Sequence, residues 1–249
     1  MNLKYKIMTV LGLCGLLCIS SYLIIAKMFD NIESQLYEKC RVEARVGAHV
    51  MGAFMDELLD ARTLTEADLF DTTYVEIPGT APKKYTTRYD KLLEKLIQKT
   101  LDQFLADPDL TYAVLVDVNG YAPTHNSKYS GLPTADPLQN IRMSRGKRIF
   151  DDPTGIRAAR HNDEEPIRQL YYQDTGKVIW DIAASVTVKG RHWGAVRTGV
   201  SLERIDEIKN QMIILVGMSL LVILSITMLM LFLIIPRKLY DTDLNVPRY

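Results

Sequence analysis

Charge is absent from two stretches of this 249-residue chain: residues 7–26 and 212–235 contain no Lys, Arg, Asp, Glu or His. Cysteine is scarce. Of the three, Cys14 and Cys18 lie inside the first uncharged stretch, and Cys40 is the one thiol between the two stretches, which excludes an intrachain disulfide there. A Cys40–Cys40 bridge between two copies stays open beside the plainer reading of three small apolar side chains. No CxxCH occurs, so covalent haem c attachment is excluded and no cofactor is expected. With 30 basic and 30 acidic residues the formal net charge is zero, and composition points to no nucleic-acid partner. His49, His125, His161 and His192 have no metal-site spacing, and HExxH, paired CxxC, GxSxG and nucleotide-binding glycine loops are all missing. These absences argue against an enzyme.

What is there is a pair of apolar runs around a polar middle. At roughly 1.5 Å of rise per helical residue, each run can cross a hydrocarbon core about 30 Å thick. Lys4 and Lys6 precede the first run, and Arg237 and Lys238 follow the second. By the positive-inside bias both tails face the cytoplasm, which puts the middle segment outside. A cleaved signal peptide is the alternative for the first run. Tyr22-Leu23-Ile24-Ile25-Ala26-Lys27 offers no pair of small residues for cleavage, so an uncleaved anchor is expected.

The parts are expected as follows: a cytoplasmic N-terminus at 1–6, a first transmembrane helix at 7–26, and a stalk helix with its following loop at 27–84. A sensor domain at 85–205, a connecting helix at 206–211, a second transmembrane helix at 212–235 and a cytoplasmic tail at 236–249 complete the chain. Along the stalk, Ile32, Leu36, Cys40, Gly47, Val50, Phe54 and Leu58 recur at threes and fours, an apolar stripe that packs either on the domain body or on a second copy. Residues 72–82 read as a loop. A second amphipathic helix follows, with Tyr89, Leu92, Leu93, Leu96, Ile97, Leu101 and Phe104 as its buried face. The period then becomes that of strands: 111–117, a turn at Asn119-Gly120, a return at 121–125 limited by Pro123, and a meander of 167–173, 178–188 and 193–201. Between them, 126–166 is loop-rich, with a short helix near 155–161. The fold class is α+β: two transmembrane helices flanking a domain with a long N-terminal stalk helix and an antiparallel sheet of about five strands, helices on one side.

Three stretches carry a resemblance. Val116-Asp117-Val118-Asn119-Gly120-Tyr121-Ala122-Pro123-Thr124-His125-Asn126 is similar to a hairpin of extracytoplasmic sensor domains in bacterial methyl-accepting chemotaxis proteins. Arg148-Ile149-Phe150-Asp151-Asp152-Pro153-Thr154-Gly155 with Ala158-Ala159-Arg160, and Val188-Lys189-Gly190-Arg191-His192-Trp193-Gly194-Ala195-Val196-Arg197, follow in the order and spacing of the PAS-like, single-Cache family. The resemblance covers roughly residues 85–205. It implies a PAS-like fold, a small-molecule ligand or redox signal received in the periplasm or outside the cell, a two-pass protein of the bacterial inner membrane, and a homodimer signalling through the second span. Pro236-Arg237-Lys238-Leu239 resembles the opening of a HAMP linker. Thirteen residues follow Pro236, without a kinase-binding or methylation region, so output is expected through a partner, another membrane receptor or a kinase. Two alternatives stand beside this: a non-catalytic membrane-anchored binding or assembly subunit, and an N-terminal fragment of a longer chemoreceptor.

A PAS-like sheet would hold its ligand on one face beneath the irregular connection. Polar and aromatic residues in reach of that space are Tyr121, His125, Asn126, Arg148, Asp151, Tyr171, Asp181, Trp193 and Arg197. Arg148 or Arg197 suits a carboxylate, Trp193 or Tyr121 an aromatic wall, and Asp181 an ammonium. Duller readings stand beside each: His125 and Asn126 closing a turn, Asp151-Asp152 capping the helix after Pro153, Trp193 in the core, and Arg197 facing solvent between Val196 and Thr198.

Overall fold

In the computed structural model, which describes residues 3–235, the chain divides into two units: residues up to Glu33 together with those from Asp206 onward, and Ser34–Ile205. The expectations for Pro236-Arg237-Lys238-Leu239 and the rest of 236–249 lie outside the described residues. Helix α1 (Leu3–Asp60) runs for 58 residues, and helix α6 (Leu202–Ile234) for 33. Each contains a stretch long and apolar enough, by length and composition, to cross a membrane. No Pro occurs before Pro78, so nothing removes a backbone donor from α1. Helix α6 begins directly after a strand, and the Ser201 hydroxyl caps it by accepting the Arg204 amide at 3.1 Å.

Between these helices come α2 (Glu66–Leu69), β1 (Val75–Ile77), β2 (Lys84–Thr86), α3 (Asp90–Phe104), β3 (Tyr112–Asp117) and β4 (Tyr121–Ala122). Then follow α4 (Pro137–Met143), β5 (Arg148–Ile149), α5 (Pro153–Ala159), β6 (Ile167–Tyr172), β7 (Val178–Val188) and β8 (Arg191–Ser201). The main sheet is antiparallel, has four strands rather than five, and runs in the order β3-β8-β7-β6. The expected return strand at 121–125 shrinks to β4, which pairs with β5 instead of joining β3. The Asp117 carboxylate explains this. Its Oδ1 accepts the amides of Asn119 and Tyr121, both at 2.9 Å, so the turn is closed by a side chain rather than by a ladder. Gly120 completes the turn at φ +80°, and a Cβ there would lie 2.5 Å from the Phe150 carbonyl oxygen. Within the stretch read as a loop at 72–82, β1 forms half of a small hairpin with β2.

Ladder pairing sets the two faces of the sheet. Tyr112, Gly199, Asp181 and Gln169 align in one row; Val114, Arg197, Ala183 and Ile167 in the next. Side chains alternate along each strand, so these rows share a face. Ala113, Leu115, Val196, Thr198 and Ile182 point the other way, toward α1 and α3. Both faces of the central strands are buried, which is why alternation of polar and apolar residues did not mark them.

On α1 the expected stripe is buried at Ile32, Leu36, Cys40 and Gly47, while further along the buried side runs through Ala44, Ala48, Met51 and Met55 instead of Val50, Phe54 and Leu58. Small residues decide the rotation. A Cβ on Gly52 would meet the Thr187 carbonyl oxygen at 2.6 Å, and one on Gly47 the Phe104 ring at 2.7 Å, so the helix lies too close to the sheet for larger side chains. Val50 is exposed. Tyr89, just before α3, and Leu93, Ile97 and Leu101 within it are buried, while Leu92 and Leu96 face outward. Cys40 is 1% exposed, and burial pushes its thiol up to about 12. Its sulfur is enclosed by its own chain, so a bridge between two copies would require opening the core.

Candidate functional site

Opposite α1 and α3, the irregular connection from β4 to β6 covers the other face of the sheet. Between them lies a cavity of about 280 Å³. Its floor is Tyr112 and Val114 from β3, Tyr171 from β6 and Arg197 from β8; its roof is His125, Tyr129, Arg145 and Phe150. Arg142, Met143, Gln173, Thr175 and Lys177 form the rim. Four of these thirteen lining residues are Arg or Lys and none is Asp or Glu.

The charges are held in place. Arg197, 2% exposed, gives Nε and Nη2 to Asp181, with Nη2 at 3.1 Å from Oδ2. Burial works against its charge, but the Asp181 carboxylate outweighs it and holds the guanidinium above its usual value. Asp181, fully buried, also accepts Gln169 Nε2 at 2.9 Å and the Tyr112 hydroxyl. Tyr112 reaches it across Gly199, whose missing Cβ leaves room for the tyrosine ring. Both carboxylate oxygens are thus occupied by donors from three residues. Arg197 also lies 5.1 Å from the centre of the Tyr171 ring. Burial is the main reason the Tyr171 phenol is pushed up to about 12.

At the roof, Arg145 is nearly buried and meets Asp174 Oδ1 at 2.7 Å, while Arg148 meets Oδ2 at 3.0 Å. Both guanidinium groups lie over Phe150, at 5.3 and 5.2 Å. Burial raises the Asp174 carboxyl, but Arg145 and Arg148 more than offset it and leave it below the usual range. His125 is held well below its ordinary value by burial and then by the Arg145 charge, so it is neutral. Its Nδ1 accepts the Asn126 amide at 3.0 Å, which leaves the proton on Nε2.

The candidates named from sequence separate into two groups. His125, Tyr171 and Arg197 line the cavity, and Arg148 stands just behind it through Asp174. The rest lie elsewhere. Tyr121 is buried and donates to Asp90 Oδ2 at 2.7 Å, in an aromatic cluster with Tyr74 and Tyr89. Trp193 donates from Nε1 to the Leu69 carbonyl at 2.8 Å and packs on Tyr89. Asn126 is buried and holds the Ala113 carbonyl at 3.3 Å. Asp151 is exposed; its neighbour Asp152 caps α5, accepting Gly155 N at 2.9 Å. Asp181 sits beneath Arg197 with its oxygens occupied, so it is the counter-ion of the floor and has no oxygen free for an ammonium group. Arg197 does not face solvent.

Tyr112, Tyr129, Arg142, Arg145 and the 173–177 turn escaped the sequence reading. Alternation along β3 could have singled out Tyr112; nothing local marks Arg145, which reaches the cavity only through the connection. Chemically, the arrangement suits binding. Among the described residues, Ser185 and His192 make a side-chain Ser–His contact, at 3.0 Å, away from the cavity. That hydroxyl also meets Asn162 Oδ1 at 3.2 Å, and His192 Nε2 meets the Ala159 carbonyl at 2.8 Å.

No family model matches the chain, and no curated protein matches it. Solved structures do. The ligand-binding domain of a Campylobacter jejuni chemoreceptor in complex with L-valine is 8% identical, with a TM-score of 0.45, over 82% of this chain and 66% of that one. The sensor domain of a V. cholerae histidine kinase is 12% identical, with a TM-score of 0.40, over 76% of this chain and 60% of that one. The chain thus covers less than two thirds of each. Both neighbours are sensory domains.

Proposed function

We propose that this chain is a two-pass membrane sensor whose domain, outside the cytoplasm, binds a small organic anion and relays its occupancy through α6 to a partner. One observation carries the reading: a half-open cavity with aromatic walls, lined by Arg142, Arg145, Lys177 and Arg197 and by no carboxylate. An Arg fork meets a carboxylate with two parallel, charge-assisted hydrogen bonds, and Tyr112, Tyr129, Phe150 and Tyr171 supply apolar area for the body of the ligand. No carboxylate lines the cavity, and Asp181 beneath it is already engaged with Arg197, Gln169 and Tyr112, so a cationic group on the ligand would find no free partner there. That favours simple carboxylates over amino acids such as the L-valine in the chemoreceptor complex.

The relay reading rests on continuity. Ser201 ends β8 and Leu202 starts α6, with no Gly or Pro between. The homodimer reading is supported by Val42, Val46 and Val50, exposed at 54, 54 and 48% on one side of α1. The same valines support the rival reading of a membrane-anchored assembly subunit.

A thermal-shift series on the full chain in detergent separates the two. With acetate, benzoate and benzylamine at millimolar concentration, a sensor of this kind is stabilised by an acid and not by the amine, because a ligand that binds only the folded state raises the melting temperature. An assembly module responds to none of them. Stabilisation by benzylamine alone would sink the anion reading.

A further inference from the structure

Resting on the anion reading above, we infer that Asp174 is a built-in competitor of the ligand: a clasp whose carboxylate holds Arg145, a cavity-lining arginine that an incoming anion would engage, together with Arg148 just behind it. Asp174 Oδ1 lies 2.7 Å from Arg145 Nη1 and Oδ2 lies 3.0 Å from Arg148 Nη2, the two-oxygen geometry that a ligand carboxylate would reproduce.

The two sides of this contact are unequally fixed. Arg145 also donates to the Ile141 carbonyl at 2.8 Å and packs over Phe150, so it is anchored without Asp174. Asp174 sits on the solvent-facing turn of the β6–β7 hairpin, which closes through Gly176 at φ +82°. If the contact breaks, the turn is the side that moves. Arg148 also has a buried Nη1 with no acceptor among the described residues, so the clasp leaves one of its donors unsatisfied.

The clasp also stands where binding can be transmitted. Its neighbours Gln173, Thr175 and Lys177 form part of the cavity rim. Two residues past Lys177, Ile179 pairs with Ser201, the last residue before α6. Release of Asp174 therefore frees a turn whose outgoing strand lies in register beside the last residues before α6. This is a two-state element with a named differential contact, which is what a ligand needs in order to shift a population.

The test measures calorimetric affinity for acetate and benzoate with the full chain in detergent, as wild type, Asp174→Asn and Asp174→Glu. If the closed clasp is favoured about ten to one, removing its charge tightens binding by about tenfold. Asp174→Glu, which keeps the charge, should bind like the wild type; a merely structural role for the turn would weaken both variants. Equal affinity in wild type and Asp174→Asn overturns the clasp and leaves the anion site standing. No binding of either acid to any form overturns the anion site, and the clasp with it. Should Asp174→Asn fail to fold, hydrogen exchange of wild-type amides 173–177 decides: exchange faster with saturating benzoate supports the clasp, and slower exchange overturns it.

Discussion

Arg197 and Asp181 form a pair in which neither member can be explained alone. An isolated charge at that depth would be expelled or neutralised; here Gln169 and Tyr112 complete the carboxylate's hydrogen bonds and make the pair tenable. Asp181→Ala should cost about 3–5 kcal/mol, because it leaves the Arg197 charge buried and unpaired. Chemical denaturation of the full chain in detergent measures that loss, and a cost near zero would show that water reaches Arg197. Glu43 offers a second residue-level test. Burial, then the neighbouring Asp107 carboxyl, raise its pKa from 4.5 to about 7. Lys39 faces the same cluster, 2.6 Å from Asp107 and 2.9 Å from Asp109, and Cys40 adjoins it. A carboxyl raised in the folded state is protonated there while already ionised in the unfolded chain. Between pH 4.5 and 7 the folded state binds more protons, so stability falls as pH rises through that window. Glu43→Gln should therefore stabilise the protein by about 1 kcal/mol at pH 8 and leave it unchanged at pH 4. Melting temperatures across that range check the sign.

At the scale of elements, most of the plan was legible and the registration was not. Period 3.6 marked α1 and α3, and β-rich runs bounded by Asp-Thr-Gly-Lys and Lys-Gly-Arg-His marked β6, β7 and β8 within a residue or two. The stripe on α1 held at Ile32, Leu36, Cys40 and Gly47 and was misread from Val50 onward, where hydrophobicity was taken as the signal of burial. What governs it is size: Gly47 and Gly52 allow an approach that Val50 would block. Gly52→Ala, harmless in a free helix, should here destabilise the domain by about 1–3 kcal/mol, since its Cβ meets the backbone of Thr187. Thermal melts of that variant beside Ala53→Gly, on the exposed side of the same helix, separate overpacking from helix propensity. The fifth strand was overcounted for a related reason. An Asp-x-Asn-Gly turn reads as a ladder-closing hairpin, whereas Asp117 closes it with its own carboxylate and sends β4 to another partner.

For the whole molecule, the proposed relay requires a stiff path from β8 into α6. Inserting two glycines after Leu202 breaks the helix at its first turn, where two glycines cost about 2 kcal/mol of helix propensity. Ligand binding should survive and the response of the downstream partner should disappear; a response that persists would rule out rigid transmission. Three spaced stretches suggested a class of domain, and a cavity does lie beneath the irregular connection where that resemblance would put a ligand. Its chemistry was only partly so: three of the nine candidates line the cavity, and Tyr121 and Trp193 belong to a separate aromatic core.

Two uncharged runs around a polar middle, the helical stripes, and the meander of three long strands were all determined by the sequence itself, because each is written in residues close together along the chain. Which side of each strand meets the cavity, that Asp181 serves Arg197 rather than a ligand, and that Arg145 joins Asp174 over Phe150 were decided only by the tertiary structure. Those facts depend on residues tens of positions apart, brought together by ladder register and by the close approach of glycine-bearing surfaces, and a pattern along a single chain carries no signal of such pairings.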